Sequence, residues 1–98
     1  MRSYELLFIV QPGLDEDEMD TLMERMQSAV RDNGGKILRI DTMGQRKLAY
    51  PIGKHTEGRY MILQAEMDQT VIRQVERLIA LSDDIIRHLL VRMDEEEE

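Results

Sequence analysis

The stretch Gly44-Gln45-Arg46-Lys47-Leu48-Ala49-Tyr50-Pro51-Ile52 carries two signals at once, the alternation of a strand and a local concentration of positive charge. Leu48, Tyr50 and Ile52 alternate with Lys47, Ala49 and Pro51, the period of a strand with one apolar face, and Gly44 interrupts that pattern as a bulge does. Pro51 has no N–H to donate to a ladder, so this strand ends here or lies at a sheet edge. Arg46, Lys47 and Lys54 sit close together on it, where an anionic partner would dock. Cations on an edge strand also prevent edge-to-edge aggregation, and the residues alone leave both roles open.

Upstream, residues 36–42 alternate as a strand that Met43-Gly44 bends, so 36–52 reads as one long, bulged strand. Downstream, Gly53-Lys54-His55-Thr56-Glu57-Gly58 is rich in glycine and small polar residues and predicts a loop to an antiparallel neighbour. In that neighbour Met61, Leu63, Ala65 and Met67 form the core face, and Tyr60, Ile62, Gln64 and Glu66 the other.

At the start of the chain Tyr4, Leu6, Phe8 and Val10 alternate with Glu5, Leu7 and Ile9 until Gln11-Pro12-Gly13 stops the strand. Apolar residues on both of its faces predict a central position in the sheet. Asp15 then caps a helix, with Glu18 placed for a capping box and early acids suited to the positive end of the helix dipole. Met19, Leu22, Met23, Met26, Ala29 and Val30 follow helical spacing, which reads as a core stripe, and Asn33-Gly34-Gly35 ends the helix. A second helix starts at Asp68-Gln69-Thr70, with Val71, Val75, Leu78 and Ile79 as its buried stripe, and stops before Asp83-Asp84. In the last strand Leu89, Val91 and Met93 share one face, and His88, Leu90 and Arg92 the other.

The predicted core is Met19, Leu22, Met26, Val30, Val75, Leu78 and Ile79 on Phe8, Met61 and Leu63. The order strand, helix, strand, strand, helix, strand predicts an α+β protein of the ferredoxin-like split βαβ type. Its four-stranded antiparallel sheet carries two helices on one face.

A chain of 98 residues is one domain, read here as residues 1–93, with an acidic run at 94–98 that predicts disorder, either merely solvating or regulatory. The absence of cysteine excludes a disulfide framework and a thiolate nucleophile and fits a reducing cytoplasm. The apolar run 6–10 is too short for a signal peptide or a membrane span. The formal charge of −7 argues against nucleic-acid binding until its distribution is considered. Five of the twenty acids fall in 94–98, which leaves −2 on residues 1–93, and residues 15–24 hold six acids and no base. Residues 36–59 hold six bases (Lys36, Arg39, Arg46, Lys47, Lys54, Arg59) against Asp41 and Glu57, a local +4.

No catalytic constellation is assembled. His55 and His88 lie far apart without flanking ligands, so no metal is expected, and Ser3, Ser28 and Ser82 stand outside any nucleophile-elbow pattern. Asn33-Gly34-Gly35-Lys36 lacks the glycine spacing and hydroxyl of a phosphate loop. The third strand carries Met61, Ile62 and Leu63 where an RNA-recognition motif needs its small, aromatic and aliphatic positions, so base stacking on the sheet is not expected.

Gly44 to Ile52, with the opening Met1-Arg2-Ser3-Tyr4-Glu5, resembles the family of bacterial small-subunit ribosomal protein six. That family's pattern is a glycine, a basic pair and then Leu-Ala-Tyr-Pro-Ile. The likeness runs over residues 1–93, with Lys47 where polar or Arg residues are more usual and Gly53 where a polar residue is common. It implies a structural, non-enzymatic component of the small (30S) ribosomal subunit that binds 16S ribosomal RNA together with small-subunit ribosomal protein eighteen, which is basic. Arg2, Arg46, Lys47, Lys54, Arg87 and Arg92 are the expected phosphate contacts, and Tyr60, Ile62 and Leu90 the expected partner-protein face. No cofactor, DNA or membrane is expected, and the free chain is read as a cytoplasmic monomer. The fold alone leaves open a second reading, a ferredoxin-like regulatory module that dimerises through its open sheet face and binds a small ligand.

Overall fold

β1 (Arg2–Val10), α1 (Glu16–Arg31), β2 (Lys36–Ile52), β3 (His55–Met67), α2 (Gln69–Leu81) and β4 (Ile85–Arg92) follow one another in the computed structural model, which describes residues 1–93. The acidic run 94–98 and the expectation of disorder attached to it lie outside the described residues. The strands form one antiparallel sheet in the order β2-β3-β1-β4, the ferredoxin-like arrangement; β2 is an edge strand and Pro51 lies next to its last residue, so both positions open to a proline hold here. No helix among the described residues is long and apolar enough to cross a membrane.

Local chemistry sets the helix starts. Asp15 Oδ1 accepts the Glu18 backbone N–H at 2.8 Å while the Asp15 N–H donates to Glu18 Oε1 at 3.0 Å, the reciprocal capping box. Asp68 caps α2 with a single bond, its Oδ1 accepting the Val71 backbone N–H at 3.0 Å with no reciprocal partner. Both helices lay their apolar stripes on the inner face of the sheet, where Leu6, Phe8, Val10, Met61, Leu63, Ala65 and Met67 are buried.

Three sequence expectations change. The loop expected over 53–58 shrinks to the two residues Gly53-Lys54, because Ile52 already pairs with His55 and β3 begins there. Leu78, expected in the core, is half-buried at its margin, and Ile72 is buried instead. Leu90, expected to point away from the helices, stands opposite Leu6 in register and packs against the core. Residues directly opposite share a face, so β4 turns His88, Leu90 and Arg92 toward the helices and Arg87, Leu89 and Val91 outward.

The bulge read at Met43-Gly44 is present. Thr42 pairs with Met61 and Gly44 with Tyr60, so Met43 has no partner, and Gly44 takes φ 79°, a conformation that side chains disfavour. β2 also slips at Leu38, and it leaves the ladder altogether over 48–51, between the pairs Lys47↔Glu57 and Ile52↔His55.

Candidate nucleic-acid and protein interface

The last pair joining β1 to β3 is Val10↔Arg59, whereas β2 and β3 go on pairing through Arg46↔Gly58, Lys47↔Glu57 and Ile52↔His55. The segment 46–58 therefore projects past β1 as a two-stranded hairpin that carries Arg46, Lys47 and Lys54. It does not project straight. The Arg87 guanidinium donates from Nη1 to the Tyr50 hydroxyl at 2.5 Å and lies 5.8 Å from the Tyr50 ring centroid. Arg87 sits on β4, at the far edge of the sheet from β2, so the hairpin reaches over the outer face to the opposite edge.

That fold-back buries what a straight hairpin would expose. Ile9 faces outward between Tyr60 and Arg87 in register, yet only 7% of it is exposed. Leu48 is buried too, and both residues stand apart from the main core cluster. Gly58 makes the closure possible: a Cβ there would lie 2.3 Å from Ile9 Cγ2 and 3.3 Å from the Val10 carbonyl oxygen, so only a glycine lets Ile9 fill this space.

The hairpin cations differ in how they are held. Arg46 is exposed and its Nε donates to the Met43 carbonyl at 3.2 Å, so the Met43 bulge constrains its guanidinium without using the terminal nitrogens in that bond. Lys47 faces Glu57 in register, and Gln45 Nε2 donates to Glu57 Oε1 at 2.6 Å, which takes one acceptor site of that carboxylate. Lys54 is exposed in the turn. Arg39, by contrast, is ion-paired with Asp41 at 2.5 Å, which removes two opposite charges from the balance of the strand pair.

The six expected phosphate contacts thus divide. Arg46, Lys47, Lys54 and Arg87 belong to the hairpin end of the sheet. Arg2 pairs in register with Met67 and Arg92 with Tyr4, at the other end. Arg87 and Arg92 are five residues apart along β4, roughly 17 Å at a strand's rise of about 3.4 Å per residue.

Beyond the hairpin the outer face is open and apolar. Ile62, Leu7 and Leu89 stand side by side across β3, β1 and β4, with Val91 beside them, and Leu89 and Val91 are 57% and 47% exposed. The Gln64 Nε2 to Glu5 Oε1 hydrogen bond at 3.0 Å and the Arg39–Asp41 pair form its polar rim. Tyr60 and Ile62 of the expected partner face lie on this side, whereas Leu90 lies beneath it, and Leu7, Leu89 and Val91 are the residues that alternation alone did not orient. Tyr50 is a further case. Alternation assigns it to a strand face, and no local signal in either segment reports its bond to Arg87. Among the described residues no group of three or more His, Cys, Asp or Glu side chains is placed to hold a metal ion.

A family model described as ribosomal protein S6 matches residues 3–92. The small ribosomal subunit protein bS6 of Thermoanaerobacter pseudethanolicus is 41% identical over 95 residues, covering 97% of this chain and all of the relative. Among solved structures, the 30S ribosomal protein S6 of Thermotoga maritima superposes with a TM-score of 0.87 at 33% identity, over 94% of this chain and 87% of that one. The C-terminal domain of the MgtC protein from Mycobacterium tuberculosis, at a TM-score of 0.63 and 14% identity over 95% and 88% of the two chains, shares the fold alone. With a match that spans the projecting hairpin and every strand of the sheet, this chain belongs to the ribosomal protein S6 family of the small ribosomal subunit.

Proposed function

We propose that the chain is a structural protein of the cytoplasmic small ribosomal subunit that binds 16S ribosomal RNA jointly with small-subunit ribosomal protein eighteen. In this reading the projecting hairpin and Arg87 hold RNA phosphates, while the open outer face around Leu7, Ile62, Leu89 and Val91 docks the protein. The observation that carries it is the junction of the two surfaces. Arg87 belongs to both, as a β4 residue on the outer face and as the anchor of the basic hairpin through Tyr50. An RNA backbone and a basic protein seated side by side would each screen the charge of the other, which is why an acidic chain gains from binding them together.

Arg2 and Arg92 enter this proposal as a second, distant pair of contacts, suited to a phosphate on another strand of a folded RNA. The test is a salt titration of 16S fragment binding in the presence of protein eighteen. Arg46→Ala lowers affinity and makes the logarithmic salt slope shallower by roughly 0.7 to 0.9, the increment per neutralised phosphate. Unchanged affinity and slope would reduce the hairpin cations to guards of a sheet edge.

A further inference from the structure

α1 and α2 pack side by side on the inner face of the sheet, and their outward surfaces leave a furrow along the seam between them. Two hollows of 490 and 400 Å³ open between them, and Arg25, Leu78 and Leu81 line both, which makes one continuous groove. Its floor is apolar, built on Leu22 and Leu78, and Leu81 at the end of α2 is 74% exposed, more than any other large hydrophobic residue described. A leucine held in water on an otherwise polar helix surface marks an interaction site when it sits in an apolar groove.

The rim of the groove is acidic. Asp17, Glu18, Glu24, Asp32 and Asp84 line it against two guanidiniums, Arg25 and Arg77, and among the described residues the one ion pair made by these five carboxylates is that of Glu24 with Arg31 at 3.4 Å. That sign excludes a nucleic acid and favours a cationic occupant. Its length favours a helix: Asp17 to the C-cap Asp32 is a separation of fifteen residues along α1, about 22 Å at 1.5 Å per residue, or roughly four helical turns. A second copy of the chain fits poorly. Its α1 is acidic in the first turn, and its concentrated cations lie on a strand.

We infer that the α1–α2 groove docks a basic amphipathic helix of a partner protein, with apolar residues on Leu22, Leu78 and Leu81 and Lys or Arg side chains over Asp17, Glu18 and Asp32. The groove lies on the opposite side of the sheet from the hairpin and the outer face, so its occupation is compatible with the function proposed above and independent of it.

The experiment titrates the isotope-labelled full chain with a synthetic four-turn peptide that carries leucines at helical spacing flanked by lysines. A second peptide has the same leucines and glutamate in place of lysine. The expected result is amide shifts at Leu22, Arg25, Leu78 and Leu81 with the lysine peptide, and binding weaker by about tenfold or more with the glutamate peptide. Leu81→Asp, at an exposed position that the fold does not need, weakens the lysine peptide by about tenfold, the loss of one central contact. The Asp17→Asn/Asp32→Asn pair weakens it about threefold, with a shallower salt dependence. Shifts confined to the sheet face, equal binding of the two peptides, no binding, or an unaltered Leu81→Asp protein would overturn the inference. So would concentration-dependent dimers that Leu81→Asp abolishes, since they would assign the groove to a second copy.

Discussion

The Arg87 guanidinium and the Tyr50 hydroxyl, 2.5 Å apart, join the two outermost strands of the sheet across its outer face. Tyr50 lies in the part of β2 that has left the ladder, so this contact, together with the burial of Leu48 and the close approach of Gly58 to Ile9, ties the basic hairpin over Ile9 where strand pairing does not reach. Tyr50 is 55% exposed, and an exposed hydrogen bond with a cation–π contact contributes only about 1 kcal/mol. Tyr50→Ala is therefore expected to lower global stability by about that amount while freeing the hairpin locally. Hydrogen exchange checks it, with faster exchange at the hairpin amides of residues 52–58 and unchanged exchange in β1. Equal protection in both proteins would mean that the hairpin holds its position without Tyr50.

Gly58→Ala places a methyl group 2.3 Å from Ile9 Cγ2, and the neighbouring Val10 carbonyl limits any retreat. Overpacking of this kind costs about 1 to 3 kcal/mol. Ile9→Ala in the same chain relieves the clash, so the double variant is expected to be more stable than the sum of the two single losses implies, which a urea double-mutant cycle measures. Additive losses would place the cost of Gly58→Ala in the backbone.

Leu89 and Leu90 are neighbours with opposite fates. Leu89→Asp is expected to leave the denaturation midpoint within about 0.5 kcal/mol of wild type, as exposed substitutions do, while weakening binding of protein eighteen in calorimetry. Leu90→Asp puts a carboxylate against the core beside Leu6 and Ile72 and is expected to destabilise the chain by several times that amount. Reversed outcomes would invert the orientation of β4.

Leu63→Ala and Leu78→Ala calibrate the core. Leu63 is 1% exposed, and its truncation is expected to cost about 2 to 5 kcal/mol in urea denaturation. Leu78 is half-buried beside the open groove, where water already reaches, so its truncation is expected at or below the lower end of that range. Equal losses would mean that the two helices close over Leu78 in solution.

Short-range physics was legible in the residues. Capping at Asp15, the helix start at Asp68, the methionine stripe of α1, the bulge at Gly44 and the choice of strand end or sheet edge marked by Pro51 all depend on neighbours within a few positions along the chain. The same holds for the order of elements, and hence for the fold class. The cluster of Arg46, Lys47 and Lys54 was likewise visible as charge density on one segment.

What the tertiary structure decided depends on which strand lies beside which. Alternation separates Leu89 from Leu90 but cannot say which faces the helices, because a strand shifted by one residue exchanges its two faces, and only the pairing Leu6↔Leu90 settles it. The division of the cations into a hairpin group and the distant Arg2 and Arg92 follows from antiparallel register, which places the start of β1 beside the end of β4. The turn at Gly53-Lys54, the burial of Ile9 and the reach of Tyr50 to Arg87, thirty-seven residues away along the chain, arise from a strand that leaves its ladder and bends over the sheet. Composition and period report the environment of each residue averaged over its own element; a contact between the two edges of a sheet exists only once the whole sheet has been assembled between them.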